Sequence, residues 1–347
     1  MAKASEKSNS PAASPLLFLE TLNAHQRTAA IKAAIELDLF TEIAKTAAIG
    51  GAGVDVLANA CNASLRGTRV LCDYLTILGF LLKHEQHYRL TPDSAAFLDR
   101  RSPAYMGGIT QFMCSPTMLD AFENFVGAVR KGGTMLSQEG TMAAEHPVWV
   151  DFARAMVPMM GVAAKVAAER ITVPAQKKVK VLDIAAGHGM FGVSLATKHS
   201  NMELVAQDWP SVLSVAKENA HKAGLRTRFK LLPGDVFEIE LGTGYDIVLL
   251  PNFLHHFDAP TCERLLRKVH AALKDEGKLV TVEFIPNEDR VTPPPTAAFA
   301  AVMLATTAHG DAYTFAELEH MLKNAGYARN ELHSLAPSPE SLIVSQK

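Results

Sequence analysis

The sequence predicts an α/β protein: a doubly wound, seven-stranded sheet with an antiparallel C-terminal strand, behind a smaller, mainly α-helical N-terminal domain. Three observations carry this. From residue 179 onward, short β-rich runs alternate with helical patterns, as parallel strands joined by crossover helices do. The last two runs, near 328–335 and 341–345, have only residues 336–340 between them. So short a link cannot hold a crossover helix, and that pair must be antiparallel. Residues 16–90 read as helices followed by a small hairpin.

Composition sets the frame. With 347 residues, 48% hydrophobic and 20% charged, the chain can bury the cores of two or three domains. No apolar stretch approaches the ~18 residues of a membrane span. Residues 1–14 are small and polar, lack a signal-peptide core, and are predicted to form a disordered tail. Cys61, Cys72, Cys114 and Cys262 are scattered, with no CxxC and no His/Cys metal spacing. That usage predicts a reduced, cytoplasmic protein without a metal site. A formal net charge of −2 argues against a nucleic-acid partner.

Taking the elements in order, residues 16–44 carry helical periodicity, with Leu37, Leu39, Phe40 and Ile43 apolar, until the Gly50–Gly53 run breaks it. Two short helices are expected over 54–62 and 65–78. Residues 80–82 and 88–90 then flank a polar turn, KHEQH. Helices followed by such a hairpin resemble a winged helix-turn-helix, placed at 15–101. Its second helix offers only Arg66 and Arg69 as cations, too few for a typical DNA reader, which argues against DNA binding. Residues 102–171 are helical and rich in Met and Phe, Met118, Met142 and Met160 among them. Such a set suits an adaptable apolar pocket as well as ordinary core. In the remaining unit, 172–347, strands are expected at 179–184, 203–207, 228–232, 246–250 and 278–284. Helices are expected at 212–223, 261–273 and 315–325.

The most informative stretch is VKVLDIAAGHGMFG, residues 179–192. An apolar run ends in Asp183, turns through Gly187 and Gly189, and enters a helix, so that backbone N–H groups can meet a polar cofactor. Gly187, Gly189 and Gly192 spell GxGxxG, and Asp208 lies where a dinucleotide fold places its ribose acid, which keeps NAD(P) binding open. Three features oppose that reading. Asp183 precedes the turn, Asp235 follows the third strand in PGDVF, and the sheet ends antiparallel. Together they resemble the Rossmann-like class I S-adenosylmethionine-dependent methyltransferases.

The resemblance implies that the acid-plus-glycine loop (Asp183, Ala185, Gly187, Gly189) cradles the methionine part of S-adenosylmethionine. It implies that Asp208, with Trp209 beside it, holds the ribose, that Gly234, Asp235, Val236 and Phe237 lie by the adenine, and that Asn252 completes the cofactor set. The family often has glycine at Ala185 and Ala186, and both alanines are expected to keep negative φ. Further on, LLPNFLHHFDAPTCERLL resembles the L-H-[DN]-W-x-[DE]-x-x-C segment of small-molecule O-methyltransferases, the group of plant phenolic and bacterial polyketide-tailoring enzymes. His255 falls on that family's general base and Glu283 on the acid that orients it. Neutral imidazole, with its unperturbed pKa near 6.5, suits proton removal from a hydroxyl.

Departures from the pattern are visible. The second flanking acid is Ala312, with Asp311 adjacent but expected to point elsewhere. Pro251 replaces a lysine, and His256 an Asp or Asn. Phe152, Met156 and Met303 resemble acceptor-packing residues, and Thr307 replaces an asparagine near the acceptor. In the family the N-terminal domain interlocks two subunits, so a homodimer is implied. The expected function is methyl transfer to a hydroxyl of a small aromatic or apolar molecule. Transfer to S, N or C is an alternative, and an NAD(P)-dependent enzyme or a non-catalytic ligand-binding regulator stands outside the class.

Overall fold

The computed structural model describes residues 13–136, 148–173 and 178–347. Residues 1–12 of the expected tail, and Met142, lie outside the described residues. The chain divides after Gly107 into two compact units.

In the first unit the 16–44 periodicity resolves into helices Leu16–Leu22, Ala24–Glu36 and Leu39–Lys45. The last break comes at Asp38, whose φ of 55° is left-handed and cannot continue a helix. Helices Val54–Ala60 and Leu65–Ile77 follow, the second N-capped by Ser64 Oγ, which accepts the Gly67 N–H. The three-stranded antiparallel sheet has the order β1 (Ala52–Gly53), β3 (His87–Leu90), β2 (Leu81–His84). Its hairpin is tighter than KHEQH suggested. Lys83 pairs with Tyr88 and His84 with His87, leaving Glu85-Gln86 as a two-residue turn with Glu85 at φ 53°. Positive φ matches the twist of a short hairpin. The core of this unit is sealed by Phe40, Leu57, Leu75 and Tyr88 among others.

The second unit holds a seven-stranded sheet. Its strands are β4 (Val179–Ile184), β5 (Met202–Asp208), β6 (Phe229–Pro233), β7 (Tyr245–Pro251), β8 (Leu273–Glu283), β9 (Arg329–Ser334) and β10 (Ser341–Gln346). The spatial order is β6-β5-β4-β7-β8-β10-β9. Strands β4 to β8 run parallel, and β10 is antiparallel to both β8 and β9, as the short link required. Alternation along each strand feeds two cores. Leu182, Ile184 and Val248 pack under helices Ala259–Ala272 and Phe315–Asn324, whereas Val181, Leu204 and Ile247 pack under Val148–Arg170 and Met190–Lys198. After β4 the chain winds outward through β5 and β6, then returns to the other side of β4 for β7. That reversal opens a crevice at the strand C-termini, where open α/β sheets bind ligands.

Candidate active site

Every element of the site sits at that crevice. At the end of β4, Ala185 adopts φ 49°, which corrects the expectation of negative φ. The turn demands a left-handed residue there, and alanine accepts the strain, on the order of 1–2 kcal/mol. Gly187 (φ 57°) and Gly189 (φ 72°) follow, the latter capping helix Met190–Lys198. Gly192 admits no side chain: a Cβ would lie 2.7 Å from Asp183 Oδ2 and from Leu204 Cδ1. Its N–H instead donates to Asp183 Oδ2 at 3.1 Å.

Asp183 therefore lies behind the turn, 1% exposed, and does not line the cavities described below. The structure gives it the place of a turn anchor through Oδ2, while Oδ1 is buried with no hydrogen-bond partner among the described residues. Burial pushes its carboxyl up to about 8. Asp208 does reach the crevice. Oδ2 accepts the Gly187 N–H at 2.8 Å and Oδ1 the Trp209 N–H at 2.7 Å, and burial raises its pKa to about 6.

Two lobes meet at Ala185, Asp208, Trp209 and Phe253. The larger, about 470 Å³, is lined by Gly234, Asp235, Val236 and Phe237 together with Gln207 and Arg264. Gly234 has φ 132°, and a Cβ there would meet Ile239 Cγ2 at 2.5 Å. Asp235 Oδ1 accepts the Phe237 N–H at 2.8 Å and fixes the loop. Gln207, which sequence reasoning passed over as a strand residue, joins three strand ends: Nε2 donates to Gly234 O and Oε1 accepts the Ala185 N–H. The smaller lobe, about 80 Å³, is lined by Gly187, His188, Asn252 and His256, but not by Gly189.

These residues fit S-adenosylmethionine. Asp208 is a half-buried carboxylate at the junction of the two lobes, bonded among the described residues to backbone N–H groups, and can accept from a ribose diol. Asn252 Oδ1 is buried with no hydrogen-bond partner among the described residues, as a ligand-binding acceptor would be.

A third cavity of about 210 Å³ adjoins the smaller lobe across Trp149, Phe152, Met160, Asn252 and His256. Phe152, Met156 and Met303 line it, with Phe299, and among the described residues no Asp, Glu, Lys or Arg does. Thr307 takes no place on this wall. It is fully buried, its Oγ1 donating to Met303 O and accepting the Gly310 N–H, and its neighbour Thr306 lines the cavity instead. The end of helix Phe299–Thr306 turns Thr307 inward.

His255 lies on the cavity wall, 5% exposed. Its Nδ1 is 2.5 Å from Glu283 Oε2, while Glu283 Oε1 accepts the N–H groups of Phe253 and Leu254 at 3.0 and 2.8 Å. A carboxylate only accepts, so Nδ1 carries a proton, and in the neutral imidazole the lone pair is on Nε2. Phe299 packs edge-on at 4.9 Å, and Gly310 lets the 310 backbone press against His255 O. His256, 4.3 Å from His255 ring to ring, is held well below its usual pKa by burial and then by His255, and it stays neutral. Asp311 turns to Arg290, and Ala312 is buried. A second buried acid does reach the site, from an unforeseen place: Glu340, bonded to Asn252.

Residues 132–328 match the family model described as an O-methyltransferase domain, and residues 19–100 match the O-methyltransferase dimerisation domain. The 3-hydroxy-5-methyl-1-naphthoate 3-O-methyltransferase of Streptomyces sahachiroi is 27% identical, over 90% of this chain and 89% of that protein. The crystal structure of a candidate O-methyltransferase from Nostoc punctiforme superposes with a TM-score of 0.92 at 50% identity, covering 97% and 100% of the two chains. Human N-acetylserotonin methyltransferase in complex with S-adenosylmethionine shares the fold, with a TM-score of 0.84 at 20% identity and coverage of 98% and 99%.

Proposed function

Since the chain belongs to the S-adenosylmethionine-dependent O-methyltransferase family, we propose that it methylates a hydroxyl of a small aromatic or apolar acceptor, with His255 as general base. The observation that carries this reading is His255, backed by Glu283, on the wall of a mainly apolar cavity. S-adenosylmethionine, when bound, supplies an electrophilic methyl group and a thioether leaving group.

The protein's own residues do the rest. Phe152, Met156, Met303 and Phe299 bury the acceptor and exclude water, so that positioning supplies much of the rate. His255 Nε2 removes the hydroxyl proton as the oxygen attacks, and the resulting imidazolium is stabilised across Nδ1 by Glu283. Asp208, Trp209 and the Gly234–Phe237 loop would hold the adenosyl part, and the turn around Gly187 with Asn252 the methionine part. The test is a methyl-transfer assay over hydroxylated aromatics matched in size. Uncharged phenols that fit about 210 Å³ should be methylated, and transfer only to thiols or amines would overturn the reading.

The proposal extends to organisation: residues 15–101 as a winged-helix dimerisation domain, 102–171 as the acceptor-pocket region and 172–347 as the cofactor domain of a cytoplasmic homodimer. The dimerisation-domain match supports the homodimer. So does helix Leu16–Leu22, which buries none of its residues and leaves Leu17 and Phe18 exposed. Four buried free cysteines are compatible with a reducing compartment. Sedimentation analysis should give twice the chain mass.

A further inference from the structure

Glu340 stands between β9 and β10, directly before Ser341, which pairs with Glu283 at the end of β8. That register sets a second carboxylate beside the first at the crevice end of the sheet. Glu340 is 2% exposed and receives two hydrogen bonds, from Ser338 Oγ to Oε2 at 2.8 Å and from Asn252 Nδ2 to Oε1 at 2.7 Å. Asn252 directly follows β7 with φ 53°, a conformation that asparagine tolerates better than most residues, and its N–H is held by Val282 O. It lines both the smaller cofactor lobe and the acceptor cavity.

Because a carboxylate can only accept, Glu340 decides which way the Asn252 amide faces. Nδ2 turns to Glu340, and Oδ1 is left as a buried acceptor with no partner among the described residues. A buried carbonyl left unpaired is unfavourable, so its retention on a wall shared by two cavities points to a ligand that completes it.

We propose that Glu340 is a positioning residue for the methyl donor: it locks the Asn252 amide so that Oδ1 accepts a hydrogen bond from the cationic methionine part of S-adenosylmethionine. The proposal rests on the assignment of Asn252 to the cofactor pocket.

The test is calorimetric titration of the full-length protein with S-adenosylmethionine, alongside thermal melts. Glu340→Gln, which still offers Nδ2 an oxygen, should bind within about threefold of wild type. Glu340→Met should bind about tenfold more weakly, as should Asn252→Gly, which keeps the backbone conformation and removes the amide. In the Asn252→Gly background, Glu340→Met should add less than twofold, because the lost interaction is shared. A full further tenfold loss there would overturn the proposal. Wild-type affinity in Glu340→Met with weak binding in Asn252→Gly would overturn the role of Glu340 and leave Asn252 in the pocket, whereas wild-type affinity in Asn252→Gly would remove the assignment itself. If Glu340→Met does not fold, Asn252→Asp decides. It should weaken binding by setting two carboxylates face to face, and adding Glu340→Gln should restore affinity to within about threefold. Absence of that rescue would overturn the proposal.

Discussion

Glu283→Gln is a nearly isosteric change with a large expected effect on rate. In the wild-type site the carboxylate takes three N–H donors: Nδ1 of His255 at 2.5 Å and the backbone of Phe253 and Leu254. Glutamine can keep one oxygen on the two backbone N–H groups, but its other arm is then an NH₂ facing Nδ1. Two donors cannot share that contact. The imidazole must shift its proton to Nε2, which removes the lone pair from the cavity side, or leave a buried donor unpaired at about 1–3 kcal/mol. The imidazolium formed in the reaction also loses its counter-charge, a charged hydrogen bond of about 1.5–3 kcal/mol. Together these amount to about 3–6 kcal/mol, or a loss of roughly 10²–10⁴ in the methyl-transfer step. Single-turnover transfer to a phenol measures it, with S-adenosylmethionine affinity followed separately and expected to stay within about threefold. Raising the pH toward the phenol's own pKa near 10 should shrink the defect, since an ionised acceptor needs no base. A Glu283→Gln enzyme within threefold of wild type at neutral pH would refute the reasoning.

Other perturbations separate the remaining parts. Asp208→Ala should weaken S-adenosylmethionine binding at least about tenfold by calorimetry. Because burial raises Asp208 to about 6, the wild-type affinity it supplies should be complete above that pH and fall as the pH drops through it, a trend absent from the variant. Ala185→Gly should leave stability unchanged or raise it by up to about 1 kcal/mol in chemical denaturation, since glycine meets φ 49° without strain but loses more entropy on folding. Thr307→Val should destabilise by about 1–3 kcal/mol, leaving the Gly310 N–H unpaired, without changing which acceptors are methylated.

The central strands were legible because they are buried on both faces: mainly apolar runs such as VKVLDI read as strands, and β4 spans the same six residues that its β-rich composition marks. The crossover logic gave β10 its direction because the six residues between β9 and β10 leave room for nothing else. Other features had no local signal. The two-residue strand β1 is too short for any period, and its place is set by Gly51, where a Cβ would meet Tyr88 O at 2.5 Å. Helix Phe299–Thr306 follows a proline run and is apolar nearly all round, so it shows no amphipathic stripe. Thr307 follows from the family resemblance, and the turn at the end of this helix, which puts Thr306 on the cavity instead, has no sequence signal. Ala185 takes φ 49° because the turn between β4 and the Met190–Lys198 helix requires it, which the residue's identity conceals. Glu340 sits in a link whose brevity fixes topology, and only the β8–β10 register brings it beside Glu283 and Asn252.

The central claim is that His255 removes the acceptor proton during methyl transfer. The most direct measurement is the single-turnover rate of His255→Ala against wild type, with a hydroxylated aromatic acceptor and saturating S-adenosylmethionine. His255→Ala should lose roughly 10²–10⁴ in rate, with the affinity for S-adenosylmethionine nearly unchanged. Unchanged turnover in His255→Ala would contradict it.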